Sequence, residues 1–346
     1  MKNKAKTHTI IAVAGIAVLA TLLSFGSRLI WSGNIETPHG EDVSIHIATG
    51  SDFQSVKDSI NSVCRIIRPT SFEILARSLS YVENIKPGHY VIKDGTSNYQ
   101  LVNMLRTGSQ TPVKVIFNNV RTIEQLAGRI SMQIEADSIS ILNETRNDSC
   151  LKADGFDRYN HASLFIPNTY EFYWNTDAKG FIRRMKSEYG RFWNESRRRK
   201  AEQQGLTPLQ VSVLASIVDR ETTKVSEMRT IAGVYMNRLK KGIPLQADPT
   251  LVFALGDYDI KRVLDIHKEI ESPYNTYKHA GLPPGPICIP SIEAIDAVLN
   301  AEQHKYFYFC AKDDLSGYHV FAKTLHRHNI NAEKYRKALN RQRIFK

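Results

Sequence analysis

Cysteine is scarce: the 346 residues hold four, Cys64, Cys150, Cys288 and Cys310. They stand too far apart for a disulfide framework, and their spacing fits no zinc motif. Free buried thiols and a disulfide both stay open as readings. No HExxH pair occurs, and His319, His326 and His328 lack both the spacing and the cysteine partners of a metal site. The sequence therefore calls for no metal and no cofactor. Helix-turn-helix, zinc-finger and RNA-binding signatures are missing too, so nucleic acid has no support as a partner despite a formal charge of +11. Acidic residues are the sparse sign, 35 against 46 Lys and Arg. Much of the excess lies at the two ends, around Lys2, Lys4 and Lys6 and from Arg336 to Lys346. Hydrophobic residues make up 42%, an ordinary globular share that leaves room for two or more domains.

Charge of either sign is absent from Thr7 to Ser27. The run IIAVAGIAVLATLLSF within it predicts a transmembrane signal anchor over 9–31, since a span takes ~20 apolar residues. Lys2, Lys4 and Lys6 then place residues 1–8 in the cytoplasm by the positive-inside rule. No small-x-small cleavage site follows Phe25. A polar linker is expected at 32–41, with the rest of the chain outside the membrane.

Periodicity predicts an α+β fold. VSIHI alternates as a strand, and Phe53, Val56, Ile60 and Ile67 fall at helical spacing. SFEILARSL repeats the helical pattern, and Pro87-Gly88 turns into a strand at HYVI. A helix capped by Thr96 or Ser97 ends at Gly108. Val43 to Gly108 thus reads as a small β-α-α-β module followed by a helix. Thr122 and Gln125 suit an N-cap and its capping-box partner. LFIPNTYEFYWNT reads as an extended segment, and Phe181 to Gln204 as one long basic helix whose SRRRK run is solvated. Thr207-Pro208 opens the next helix.

That helix ends in IVDRET, residues 217–222. At ~100° per residue, Glu221 lies about 20° from Leu214 and about 40° from Ile217, within the apolar stripe. Asp219 is expected on the opposite, solvent side. A carboxyl facing inward resists ionisation and can stay protonated near neutral pH, ready to donate to a leaving group. A helix-end glutamate bonded to an arginine or to backbone N–H groups is the plainer alternative. Downstream, Asn237 and Arg238 close a helix starting at Ser226. PLQADPT reads as an extended loop with Gln246, Asp248 and Thr250. ESPYNTY adds Asn275, Thr276 and two tyrosines, and GLPPGPI is a stiff turn. Amides, hydroxyls and flat rings are what a sugar groove needs.

In order, ASIVDRET, IAGVYMNRLKKGIPLQADPT, YNTYKHAGLPPGPI, YFYF, GYHVF and HN resemble the catalytic domain of the endolytic murein transglycosylases, the YceG-like family. IKPGHY with LVNMLRTG is similar to the LysM-like subdomain of that family. The resemblance implies a LysM-like subdomain at 42–110, a second α+β segment at 111–205 and a larger α+β catalytic domain at 206–346. Departures from the family pattern are Asp219, where glutamate is usual, Asn168 in place of an aspartate, FNNVRT, His326-Arg327 and ICIPS.

The resemblance implies that Glu221 is the acid/base of a lyase. It would cleave the β-1,4 bond between N-acetylmuramic acid and N-acetylglucosamine to leave 1,6-anhydromuramyl ends. Gln246, Asp248, Asn275, Tyr277, Asn237 and His319 are the expected substrate-binding residues, with Asp248 equally able to serve as a helix cap or turn residue. Implied partners are peptidoglycan strands, the bacterial inner membrane through the anchor, and peptidoglycan synthases, with the catalytic domain in the periplasm. Two competitors remain: a muramidase-type hydrolase with Asp248 as second carboxylate, and a non-catalytic wall-binding protein.

Overall fold

The computed structural model describes residues 2–147, 151–152, 155–260 and 262–342. Cys150 lies outside them. The chain is α+β and divides into two compact units: Met1–Val115 with Gln133–Glu135 and Glu171–Thr176, and the remainder from Ile116 to Lys346. All strands among the described residues pair two by two.

The first unit opens with helix α1 (Lys2–Trp31). A span takes ~20 consecutive, mostly apolar residues. The described apolar side chains of α1, such as Val13, Ile16 and Leu23, are exposed, and His8, Thr21, Ser24 and Ser27 interrupt them. Among the described residues no helix is long and apolar enough to cross a membrane. This overturns the expected anchor at 9–31 and, with it, the single-pass inner-membrane location and the outward-facing catalytic domain.

Strand β1 (Ile35–Glu36) falls in the stretch expected to be a polar linker. Instead Ile35 is buried, and neighbouring Asn34 donates to Asn98 Oδ1 at 2.6 Å and accepts from Arg68 N at 2.8 Å. The chain continues through β2 (Val43–Ile47), α2 (Phe53–Val63), β3 (Arg65–Ile66), α3 (Pro69–Ser78), β4 (Gly88–Ile92) and α4 (Asn98–Thr107). β1 pairs antiparallel with β3, and β2 with β4, Val43 opposite Ile92 and Ile47 opposite Gly88. Asp52 caps α2. Of the two candidate caps for α4 the structure uses Ser97, in a reciprocal capping box with Gln100, and Gly108 ends the helix at φ +71°. The helices bury Val56, Ile60, Phe72, Leu101 and Leu105 against Tyr90 and Ile92 of β4.

The division between units passes through the paired strands β5 (Val113–Phe117) and β6 (Asn168–Phe172). Between them lie α5 (Ile123–Ser131) and α6 (Ser138–Thr145). Thr122 caps α5 as expected, but Gln125 reaches one residue further back, accepting from Arg121 N at 3.0 Å. The expected long basic helix is two, α7 (Ala178–Phe192) and α8 (Glu195–Gln203), because Asn194 N-caps the second. Nor is its arginine run simply solvated: Arg198 Nε donates to Trp193 O at 2.7 Å, and Arg197 pairs with Asp296 at 3.3 Å.

Four helices frame the candidate site: α9 (Pro208–Glu221), α10 (Val225–Lys240), α11 (Asp248–Leu255) and α12 (Ile292–Leu299). The antiparallel hairpin β7 (Tyr308–Ala311) and β8 (His319–Ala322), then α13 (Leu325–Arg341), complete the fold. α9 is the central helix: every residue from Val211 to Val218 is buried, and α10 and α12 both pack on it.

Candidate active site

α9 is fixed at its start by a capping box. Gln210 N donates to Thr207 Oγ1 and Thr207 N to Gln210 Oε1. Pro208 fills the first turn, where no N–H is needed. Its far end delivers Glu221 to a cavity wall, as the apolar stripe predicted. Tyr235 of α10 donates to Glu221 Oε1 at 2.5 Å. Burial pushes the Glu221 pKa up to about 7; the Tyr235 hydrogen bond opposes this and the Asp248 charge reinforces it. Glu221 is thus poised to exchange a proton near neutral pH.

Asp219 is not on a solvent face. It accepts from Ser291 Oγ, the cap of α12, and lies 3.4 Å from Arg220. The stripe argument fails here because α9 is covered all round, so its second face meets α12 rather than water. Cys288 is buried beside it, its Sγ 4.0 Å from Asp219 Oδ2 and 3.6 Å from Ser216 O. Cys64, Cys288 and Cys310 are free thiols.

One turn beyond Tyr235, Arg238 clamps the loop after α10. Its Nε donates to Pro244 O at 3.0 Å, one amino group to Phe307 O at 3.1 Å, and the other to Gln246 Oε1 at 2.5 Å. Gln246 adopts φ +52°, a left-handed conformation uncommon outside glycine. The expected extended loop, Pro244 to Thr250, stops at Ala247: α11 begins at Asp248, with Pro249 in its first turn. This segment is laced to the one around Thr276. Gln246 N donates to Thr276 O and Ala247 N to Thr276 Oγ1, both at 3.0 Å. Tyr277 donates to Asp248 Oδ1 at 2.5 Å. Burial, then this bond to Asp248, pushes the Tyr277 phenol well above its usual range, so it stays a neutral donor.

The other expected residues divide. Asn275 is fully buried and spent on backbone: its Nδ2 donates to Lys268 O and Ile270 O, and its Oδ1 accepts from Tyr277 N. Asn237 likewise donates to His304 O and Tyr306 O at 2.9 Å. α10 approaches the segment 302–306 closely because Gly233 has no side chain; a Cβ there would come within 2.3 Å of Glu302 O. His319 is held by Glu227, its N 2.9 Å and its Nδ1 3.1 Å from the two carboxylate oxygens.

Two cavities meet at Glu221 and Asp248, which line both. The smaller, about 460 Å³, also holds Tyr235, Arg238, Gln246, Tyr277 and His319. The larger, about 740 Å³, adds Arg121, Arg220, Tyr258 and Tyr335. Asn237 and Asn275 line neither. Sequence reasoning missed Tyr235, whose signal is slight: a hydroxyl in an otherwise buried helix needs a partner. Tyr308 and Phe309 line the smaller cavity from a block read only as family pattern. Among the described residues no three of His, Cys, Asp and Glu gather as a metal site requires.

Known proteins resemble this chain in sequence and fold. The chain is 46% identical over 122 residues, 35% of its length and 33% of the relative's, to an endolytic murein transglycosylase of Bacillus subtilis. It is 26% identical over 323 residues to the protein of the same name from Streptococcus pneumoniae, covering 85% of this chain and 58% of that one. It therefore spans between a third and just over half the length of these curated relatives. A crystal structure of a YceG-like protein from Listeria monocytogenes superposes with a TM-score of 0.56 at 26% identity, over 84% of this chain and 98% of that one. The profile of the YceG-like family matches residues 45–334, most of the chain, and the chain belongs to that family.

Proposed function

We propose that this chain is a lytic transglycosylase that cuts β-1,4 bonds within peptidoglycan glycan strands. The observation that carries the reading is Glu221, a carboxyl with a pKa of about 7 at the junction of two cavities. A strand cut internally must lie on both sides of the acid, and each cavity offers one side.

Protonated Glu221 donates to the glycosidic oxygen as the bond from C1 of the muramyl residue breaks. The muramyl C6 hydroxyl bonds to C1 and passes its proton to Glu221. No water is consumed, the acid is restored, and the product ends in a 1,6-anhydro ring. An ordinary glycosidase needs a second carboxylate as base or nucleophile. Here the substrate's own alcohol serves, with the advantage of intramolecular attack. Asp248, held by Tyr277, supplies negative charge facing the developing cation. Tyr235 orients the Glu221 carboxyl. Gln246, Tyr277 and His319 line the sugar cavity, while Asn237 and Asn275 hold its walls in place. The pairing of β2 with β4 around α2 and α3, with the short β3 between the helices, supports a LysM-like glycan-binding module at 42–110, ahead of a catalytic domain at 206–346.

Mass spectrometry of uncrosslinked strands digested by the chain and by its Glu221→Gln variant tests this. Anhydromuramyl ends from the wild type alone are expected. Reducing ends would make the protein a hydrolase, and intact strands from both would make it a binding protein.

A further inference from the structure

The larger cavity beside Glu221 carries positive charge that bond cleavage does not use. Arg121, Arg220, Arg262 and Arg336 line it with the carboxyl groups of Glu221 and Asp248, and Asp219, outside the lining, pairs with Arg220 at 3.4 Å. They come from four separate stretches of the chain: before α5, the last turn of α9, after α11, and within α13. Some exposed arginines elsewhere in this unit are matched with acids, as in Arg146 with Glu124 and Arg199 with Glu195. Among the described residues no such ion pair holds Arg121, Arg262 or Arg336. Arg121 lies over the Tyr258 ring, 5.1 Å from its centroid. Arg220 spends an amino group on Asn119 at 2.8 Å and leaves its buried Nε without a hydrogen-bond partner. Like charges gathered around one cavity repel, and an anion seated there offsets the repulsion. All four are arginine and none is lysine, the choice that suits planar carboxylates bound two oxygens at a time.

We propose that this cavity is a carboxylate subsite that takes the acidic stem peptide of the muramyl residue beside the bond being cut. The proposal rests on the transglycosylase reading, which places a muramyl sugar at Glu221. The stem hangs from the lactyl group of that sugar, to the side of the glycan axis. A strand laid over the junction at Glu221 and Asp248 sends its peptide toward the arginine-lined wall. The carboxylates of the peptide meet the guanidinium groups, and the sugar rings stay with the tyrosines of the smaller cavity. Stem-bearing glycan is therefore the preferred ligand, ahead of glycan stripped of peptide.

Calorimetric titration of the full chain tests this with two soluble probes: a muramyl disaccharide-peptide with free carboxylates, and the same disaccharide without peptide. The first is expected to bind ~10-fold more tightly at low salt, as charge-assisted contacts would give. The preference should shrink in about 0.5 M salt. It should fall to about one in Arg262→Gln/Arg336→Gln, two exposed positions whose replacement leaves the core intact. The equal charge change Arg191→Gln/Arg199→Gln, away from the cavity, should retain it. Equal affinities, no binding of the peptide probe, or a preference that survives Arg262→Gln/Arg336→Gln would overturn the subsite. Strand cleavage measured in parallel separates the two claims. Cleavage without peptide preference removes the subsite alone; peptide preference without wild-type cleavage removes the transglycosylase reading alone.

Discussion

The two units bury polar groups for different ends. In the first, buried polar atoms close the fold upon itself: Tyr90 donates to Lys86 O at 2.9 Å, and Asn34 and Asn98 bond to each other. In the second, ionisable groups that are partly or fully buried face polar partners: Glu221 with Tyr235, His319 with Glu227, Asp219 with Ser291. A satisfied amide stabilises a fold at every pH. A carboxyl held near pH 7 destabilises it wherever the group must ionise, and such a group persists where chemistry uses it.

Replacing Glu221 breaks this contrast most directly. Glu221→Gln should lower strand cleavage by at least about 10²-fold, the usual worth of an acid/base, while the fold persists. Its stability should also lose a pH dependence. The folded chain keeps a proton near pH 7 that the unfolded chain releases in the ordinary carboxylate range. The stability this confers is full at acid pH and is lost as pH rises toward about 7. Urea unfolding at pH 5 and pH 8 should therefore differ less in Glu221→Gln than in the wild type. In the first unit the counterpart is Phe72, fully buried. Phe72→Ala should cost about 3–5 kcal/mol in denaturant unfolding.

Two smaller changes sharpen the picture by moving one pKa in opposite directions. Tyr235→Phe deletes the hydrogen bond that lowers the Glu221 pKa, so the alkaline limb of the cleavage profile should move to higher pH. Asp248→Asn deletes a charge that raises it, so the limb should move to lower pH. Parallel shifts would mean that another group sets the limb. Smallest is Asp52→Ala, which removes the cap of α2 and should cost about 1 kcal/mol in the melt of the first unit.

Glu221 was legible because α9 is regular, and helical angle alone turned it inward. The same wheel misplaced Asp219, since periodicity reports which face is apolar but not whether a second helix covers the other one. Gln246, Asp248 and Tyr277 were found by residue type, and the structure brings them to one cavity. Asn237 and Asn275 were chosen by the same logic, yet their amides are consumed by carbonyls of the loops they pin. An amide side chain declares its bonding capacity and not its partner. The arginines of the larger cavity lie far apart in sequence, and Arg336 looked like part of a basic tail. The uncharged stretch near the N-terminus resembled a membrane span only when its interrupting hydroxyls and histidine were read as tolerable.

Gln246 shows what a search for sturdier variants would do to this protein. A left-handed φ on a residue with a side chain costs of order 1–3 kcal/mol, and glycine would relax it. Selection for heat resistance alone would therefore weigh that relief against the charge-assisted hydrogen bond that glycine at 246 would lose. Glycine would delete the acceptor that holds the Arg238 guanidinium in the smaller cavity. Backbone strain and side-chain contact thus pull this one position apart, and a library screened only by melting temperature would report nothing but their balance.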